Sequence, residues 1–194
     1  MQARRSASGA RCGRVDRARG YAGVTQVFLG LGSNIEREHY LVAGLDALQA
    51  LFGALELSPV YDSAAIGFDG QPFLNMVVAA DTSLPLATMA ARLRQIETEH
   101  GRPLHATRFS ARRLDIDILT YGDLVGEHDG INLPRGEILD NAFVLRPLAE
   151  LAPTALHPGK GLSYATLWRG YQQQSQTLVR VDFAWQGRWI SRAE

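Results

Sequence analysis

Between Leu55 and Ala80 two strand patterns follow one another with no helical pattern between them, and this order limits the folds open to the chain. Ahead of them, Val27-Phe28-Leu29-Gly30-Leu31-Gly32 is a short apolar run that ends in Gly-Ser-Asn, which predicts a buried strand and a turn. Leu41, Leu45, Leu48 and Phe52 recur at helical spacing, and Gly53 closes that helix. Leu55, Leu57 and Val60 predict the second strand, ended by the turn-rich stretch Asp62 to Gly70, and Phe73 to Ala80 predicts the third. Pro85 opens a second helix whose apolar stripe includes Leu86, Met89, Leu93 and Ile96, with Gly101 at its end. An Arg-rich loop, 102–113, precedes a fourth strand from Leu114 to Tyr121.

Strand, helix, strand, strand, helix, strand is the order of an α+β, ferredoxin-like antiparallel sheet, with helices on one face and the other face left available. A doubly wound parallel sheet would need a helix between the second and third strands. The tail adds helical patterns around Ile138–Leu151 and Tyr164–Tyr171. A strand-like alternation of Val179, Val181, Phe183 and Trp185 follows.

Composition narrows the class. At 194 residues and 46% hydrophobic the chain suits one domain, or one and a tail, with a real core. No apolar run approaches the ~20 residues of a membrane-spanning helix. Cys12 is the only cysteine, so neither an internal disulfide nor a cysteine zinc site is available. The expectation is a soluble cytoplasmic protein without a membrane or nucleic-acid partner. The neutral chain hides an asymmetry: residues 1–26 hold six arginines against Asp16, a local charge of +5, which leaves −5 for the rest. This head has no hydrophobic period and is expected to be a disordered extension over 1–25. A translated leader is favoured over a nucleic-acid-binding arm or a transit peptide, because almost nothing apolar is present to form one face.

Arg108-Phe109-Ser110-Ala111-Arg112-Arg113-Leu114-Asp115-Ile116-Asp117-Ile118-Leu119 is the stretch richest in chemistry. On a strand, period-two alternation sends Leu114, Ile116 and Ile118 towards the helices and Asp115 with Asp117 to the other face. Paired carboxylates repel unless a cation sits between them. Mg²⁺ takes one or two carboxylates plus substrate phosphates, and the arginines upstream offer planar forks to phosphate oxygens. The bland alternative is a solvated strand whose aspartates are balanced by neighbouring arginines; the arginine loop and the open face favour the metal–phosphate site. An RNA-binding module is disfavoured, since such a sheet face needs stacking aromatics and positive charge rather than two aspartates.

These residues resemble the signature of the 6-hydroxymethyl-7,8-dihydropterin pyrophosphokinase family of folate biosynthesis. The likeness extends from Gly30-Leu-Gly-Ser-Asn34 to Phe143-Val-Leu-Arg-Pro-Leu148 and Ala152-Pro153. It marks a core over 26–160 and a C-terminal addition over 161–194, within one domain of 26–194. The resemblance implies transfer of pyrophosphate from ATP to the pterin hydroxymethyl group, giving AMP, with two Mg²⁺ ions held by Asp115 and Asp117. It implies catalytic roles for Arg102 and Arg112 beside the two aspartates, and nucleotide contacts from Glu97, Arg108, Arg112, Ile118 and Arg135. For the pterin it implies Ser63, Phe73, Asn75, Phe109 and Phe143. Small-molecule substrates are the only partners it implies. The loop 102–113 is expected to act as a lid over the phosphates.

The chain departs from the family's pattern in its substrate-handling parts. Asp62-Ser63-Ala64-Ala65 lacks the usual prolines, Pro134-Arg135 stands for Pro-His, Asn141 stands where an arginine is expected, and Leu104 replaces a further loop arginine. Arg135 offers a cation in place of the histidine. A second reading, a relative that binds pterin or nucleotide without turnover or takes another substrate, rests on these departures.

Overall fold

The computed structural model describes residues 23–65, 70–101, 111–172 and 176–193. Strand β1 (Thr25–Ser33) starts one residue inside the expected extension and is an interior strand of the main sheet. Helix α1 (Arg37–Phe52) follows, then β2 (Leu55–Leu57), β3 (Tyr61–Ser63), β4 (Phe73–Thr82), α2 (Leu86–Glu99) and β5 (Asp115–Tyr121). The expected second strand is thus two short ones. Both pair antiparallel with β4, β2 opposite 78–80 and β3 opposite 73–75. At the break between them, Ser58 satisfies the β4 backbone, since its Oγ accepts from the Val77 N–H at 2.8 Å. The expected alternation on β5 holds: Ile116 and Ile118 join the core under the helices, and Leu119 faces the other way.

Strand β5 lies at the edge of the sheet beside β1, and β4 lies on the other side of β1, antiparallel to it. One face is sealed by α1 and α2. Leu41, Leu45 and Leu48 of the first and Met89, Leu93 and Ile96 of the second pack on Val27, Leu29, Leu31 and Val78. Six nearly fully buried side chains of ordinary aliphatic size would each contribute on the order of 1.5–3 kcal/mol.

The opposite face is only half open. Beyond β5 come β6 (Gly126–His128), β7 (Ile131–Leu133), α3 (Glu137–Asp140), α4 (Ala142–Leu151) and α5 (Tyr164–Arg169). Val144, Leu145 and Leu148 of α4 and Tyr164 of α5 cover Phe28, Val77, Ala79 and Leu119, a second core that corrects the expectation of a wholly available face. The single helix expected over Ile138–Leu151 is broken at Asn141, whose backbone is extended (φ −120°, ψ 120°). The β6–β7 hairpin was not expected. Its two-residue turn is Asp129-Gly130, both at positive φ, which is the backbone that Asp-Gly favours in tight hairpins.

The tail extends the sheet and ties back to it. Strand β8 (Leu178–Arg180) pairs with β3, while β9 (Phe183–Trp185) and β10 (Arg188–Ser191) form a separate hairpin. The Tyr61 hydroxyl donates to Glu150 at 2.7 Å; Glu150 also pairs with Arg146, and Arg180 stands 3.8 Å away. Trp185 Nε1 donates to Asp46 of α1 at 2.8 Å. No described helix is long and apolar enough to cross a membrane.

Candidate active site

The uncovered half of the sheet face is a cavity of about 190 Å³, and its floor is set by register. Gly32 of β1 lies between Asn75 of β4 and Asp115 of β5, and Gly30 lies between Val77 and Asp117. Both glycines line the cavity, so the central strand contributes floor without side chains. A Cβ on Gly32 would stand 3.0 Å from the Asn75 Oδ1, too close for the amide to stay where it is. A side chain here would make the amide give way by a few tenths of an ångström, and glycine keeps a passage open between the amide on one side and the carboxylates on the other.

On the β4 side the groups suit a flat polar ring. Asn75 Nδ2 donates to Ser63 Oγ at 2.8 Å, and both side chains are buried, so the amide is held in one orientation. Phe73 reaches the cavity from β4 and Phe143 from α4. Aromatic side chains from sheet and helix line the same cavity as this fixed donor–acceptor amide, a combination able to receive a flat heterocycle with a polar edge.

On the β5 side the groups suit polyanions and cations. Asp115, Asp117, Arg112, Arg135 and Glu137 are the charged residues of the described lining, three carboxylates against two guanidiniums. Arg112 pairs with Asp115. Arg135 reaches Asp117 at 3.1 Å through one nitrogen and pairs with Glu137 through Nε. Burial, followed by the Asp115 charge, pushes the Asp117 carboxyl up to about 7, with Arg135 opposing the shift. Burial disfavours the Arg135 cation, but Asp117 and Glu137 outweigh it and hold its guanidinium above its ordinary value. Among the described residues, no three His, Cys, Asp or Glu side chains are grouped to hold a metal by themselves. Asp115 and Asp117 offer carboxylate oxygens of the kind a hard cation such as Mg²⁺ takes when water and phosphate oxygens supply the rest of its shell.

Asn34, outside the cavity lining, ties down Arg112, which is part of that lining. Its Oδ1 accepts from the Arg112 N–H at 2.6 Å, its own N–H donates to the Arg112 carbonyl at 3.0 Å, and its Nδ2 donates to the Gln71 carbonyl at 3.2 Å. The turn after β1 thus fixes the chain just before β5 and just before β4. Glu97 is buried in α2 rather than solvated, and its carboxylate accepts from the Ile116 N–H at 2.9 Å. That bond lies on the outer edge of β5, and Ile118, two residues on, turns its backbone towards the same edge.

The cavity thus gathers Ser63, Phe73, Asn75, Phe143, Arg112, Arg135, Asp115 and Asp117, eight of the expected residues. It does not gather Glu97, or the side chain of Ile118, which is in the core beneath the helices. Arg102, Arg108 and Phe109, and most of the expected lid, lie outside the described residues. The sequence reading missed Glu137, the anchor of Arg135, although it stands only two residues beyond. It also treated the glycines as turn and strand formers rather than as floor.

A model of the family described as 7,8-dihydro-6-hydroxymethylpterin-pyrophosphokinase (HPPK) matches residues 28–153. Among curated proteins, the chain is 35% identical over 134 residues to a 2-amino-4-hydroxy-6-hydroxymethyldihydropteridine pyrophosphokinase of Aquifex aeolicus, covering 68% of this chain and 83% of that protein. It is 37% identical over 134 residues to the protein of the same name from Pseudomonas aeruginosa, covering 67% and 82%. Among solved structures it resembles Plasmodium falciparum HPPK-DHPS, wild type with STZ-DHP, at a TM-score of 0.64 and 12% identity, over 87% of this chain. The chain spans 48% of that longer protein, and at this identity the likeness concerns the fold.

Proposed function

The chain belongs to the 7,8-dihydro-6-hydroxymethylpterin-pyrophosphokinase family, and we propose from that premise how its residues carry out the reaction. The reaction is transfer of pyrophosphate from ATP to the hydroxymethyl group of 6-hydroxymethyl-7,8-dihydropterin, in folate biosynthesis. The pterin oxygen forms a bond to the β-phosphorus of ATP, the bond from that phosphorus to the α–β bridging oxygen breaks, AMP leaves, and the hydroxyl proton is lost. The observation that carries the site assignment is the register of three strands, which sets Asn75 and the aspartate pair on either side of a glycine floor.

In this reading Phe73 and Phe143 stack on the pterin, while Asn75, fixed by Ser63, reads its polar edge. The hydroxymethyl arm then lies over Gly32 and Gly30, directed at the β5 side. Asp115 and Asp117 would hold Mg²⁺, two ions in the family's pattern, which when bound offsets the charge of the triphosphate. Arg112 and Arg135 bind phosphate oxygens, and Arg102, Arg108 and Phe109 join this assignment from the sequence alone. Such a site works by orienting the two substrates and complementing charge as it moves to the leaving AMP. Glu97 secures the outer edge of β5, where the backbone of Ile118 offers its N–H and carbonyl to the purine.

We also read the core as ferredoxin-like, because β2 and β3 taken as one interrupted strand give a sheet in which fourth, first, third and second strands are neighbours. A cytoplasmic setting is supported by the single cysteine and the small soluble substrates. The deciding experiment is incubation with Mg·ATP and the pterin. Pterin-dependent AMP supports the reading, while ADP as the product, or no pterin-dependent turnover, overturns it.

A further inference from the structure

Arg135 is fixed at three points. Its backbone N–H donates to the Leu119 carbonyl at 2.8 Å, two residues beyond Asp117 on β5. Its Nε pairs with Glu137, and the other arm of the fork reaches Asp117 at 3.1 Å. Guanidinium geometry allows both contacts at once, so Glu137 holds the side chain in place while the free arm serves Asp117. The cation therefore stands beside the carboxylate that the functional reading assigns to a metal. A guanidinium and a divalent ion at one carboxylate repel each other, and Mg²⁺ demands oxygens at about 2.0–2.1 Å in near-octahedral array, which leaves little tolerance for a neighbour.

We propose that Arg135 is the resident counter-ion of Asp117 and makes cation loading depend on nucleotide, a role that rests on the pyrophosphokinase reading. Without nucleotide, Arg135 keeps Asp117 compensated and weakens binding of a free divalent ion. With a triphosphate in the cavity, the guanidinium pairs with phosphate oxygens instead and Asp117 is released to the cation. Cation and nucleotide then bind with positive coupling, each raising the affinity of the other.

The test is calorimetric or spin-resonance titration of the nucleotide-free full chain with Mn²⁺, repeated with a non-hydrolysable ATP analogue. Arg135→Gln should bind Mn²⁺ roughly tenfold more tightly than the wild type without nucleotide, and the gain that the analogue confers should shrink by about the same factor. Arg37→Gln controls for the general loss of a positive charge, because Arg37 pairs with Asp62 at 2.7 Å and not with the aspartate pair. Unchanged or weaker Mn²⁺ binding in Arg135→Gln, or equal tightening in Arg37→Gln, overturns the proposal. Arg135→Lys, which keeps the charge but not the fork, should lie between wild type and Arg135→Gln. If it instead matches the Gln variant in a folded protein, the counter-ion role fails. Absence of pterin-dependent AMP in the wild type, together with tighter Mn²⁺ binding in Arg135→Gln, overturns the functional reading and leaves the counter-ion role standing.

Discussion

Gly32 faces Asn75 across two neighbouring strands so closely that a methyl group on the glycine would stand 3.0 Å from the amide oxygen. Gly32→Ala adds no backbone strain, since Gly32 is not among the residues at positive φ. Its effect is to push the Asn75 amide off its Ser63 partner. The expected result is a rise in KM for the pterin on the order of tenfold with KM for ATP little changed, because small displacements at a reacting site are costly. Steady-state kinetics with each substrate varied in turn checks this; equal effects on both constants would count against the division of the cavity into two halves.

Asp117→Asn removes a carboxylate that its surroundings disfavour. Turnover should fall by at least about a hundredfold if, as proposed, this charge would hold the cation that offsets the triphosphate. Stability should not fall with it. Above pH about 7 the wild-type side chain is ionised against burial and against Asp115, so the variant should melt at the same temperature or higher there. A clear drop in melting temperature would assign Asp117 a structural role.

The same residue sets a pH dependence of unusual sign for an aspartate. The Asp117 carboxyl titrates at about 7 in the folded protein against an ordinary value of 3.8, so the folded chain holds the proton more tightly than the unfolded one. Its contribution to stability is therefore full below 3.8, declines as pH rises to about 7 and is level beyond. Divalent cations require the ionised form, so Mn²⁺ affinity should climb across that window and then level off, with proton release on binding. Titrations on either side of neutrality measure it, and Asp117→Asn should flatten the profile.

Asn34→Ala takes the acceptor from the Arg112 N–H and the donor from the Gln71 carbonyl in a single change. Loss of partners for part-buried backbone groups should cost ~1–3 kcal/mol, read from chemical denaturation. Catalysis should suffer beyond the loss of stability, because Arg112 begins the segment that carries Asp115. Asn34→Asp, which keeps the acceptor but loses the donor, should recover part of both. Full activity in the alanine variant would show that the turn after β1 does not position the site.

Much of this site can be read from one dimension. Period-two alternation along β5 separated Asp115 and Asp117 from Ile116 and Ile118 without any knowledge of neighbours, because a strand leaves its side chains no other choice. Glu97 shows a signal passed over: it follows Leu93 by one helical turn and lies on the apolar stripe of α2, which is why it is buried. The Asp129-Gly130 hairpin was legible on the same terms, as a dipeptide suited to two consecutive positive φ values. Helix α4 was expected as a helix, yet nothing in its own pattern told which surface its apolar face would cover. Its packing on Val77 and Leu119 turned an open sheet into a pocket.

The sequence by itself determined the order of the core strands and helices as far as β5, apart from the break between β2 and β3, and the side of β5 on which the carboxylates stand, because these follow from local periodicity and backbone chemistry. Tertiary structure decided the rest: the juxtaposition of Asn75, Gly32 and Asp115 across three strands, the clamp from Asn34 to Arg112, and the reach of Arg135 to Asp117. Such contacts depend on register and on the docking of segments far apart in the chain. Electrostatics amplifies the distinction, since a carboxylate acquires its proton affinity from burial and from neighbours that only the folded chain supplies.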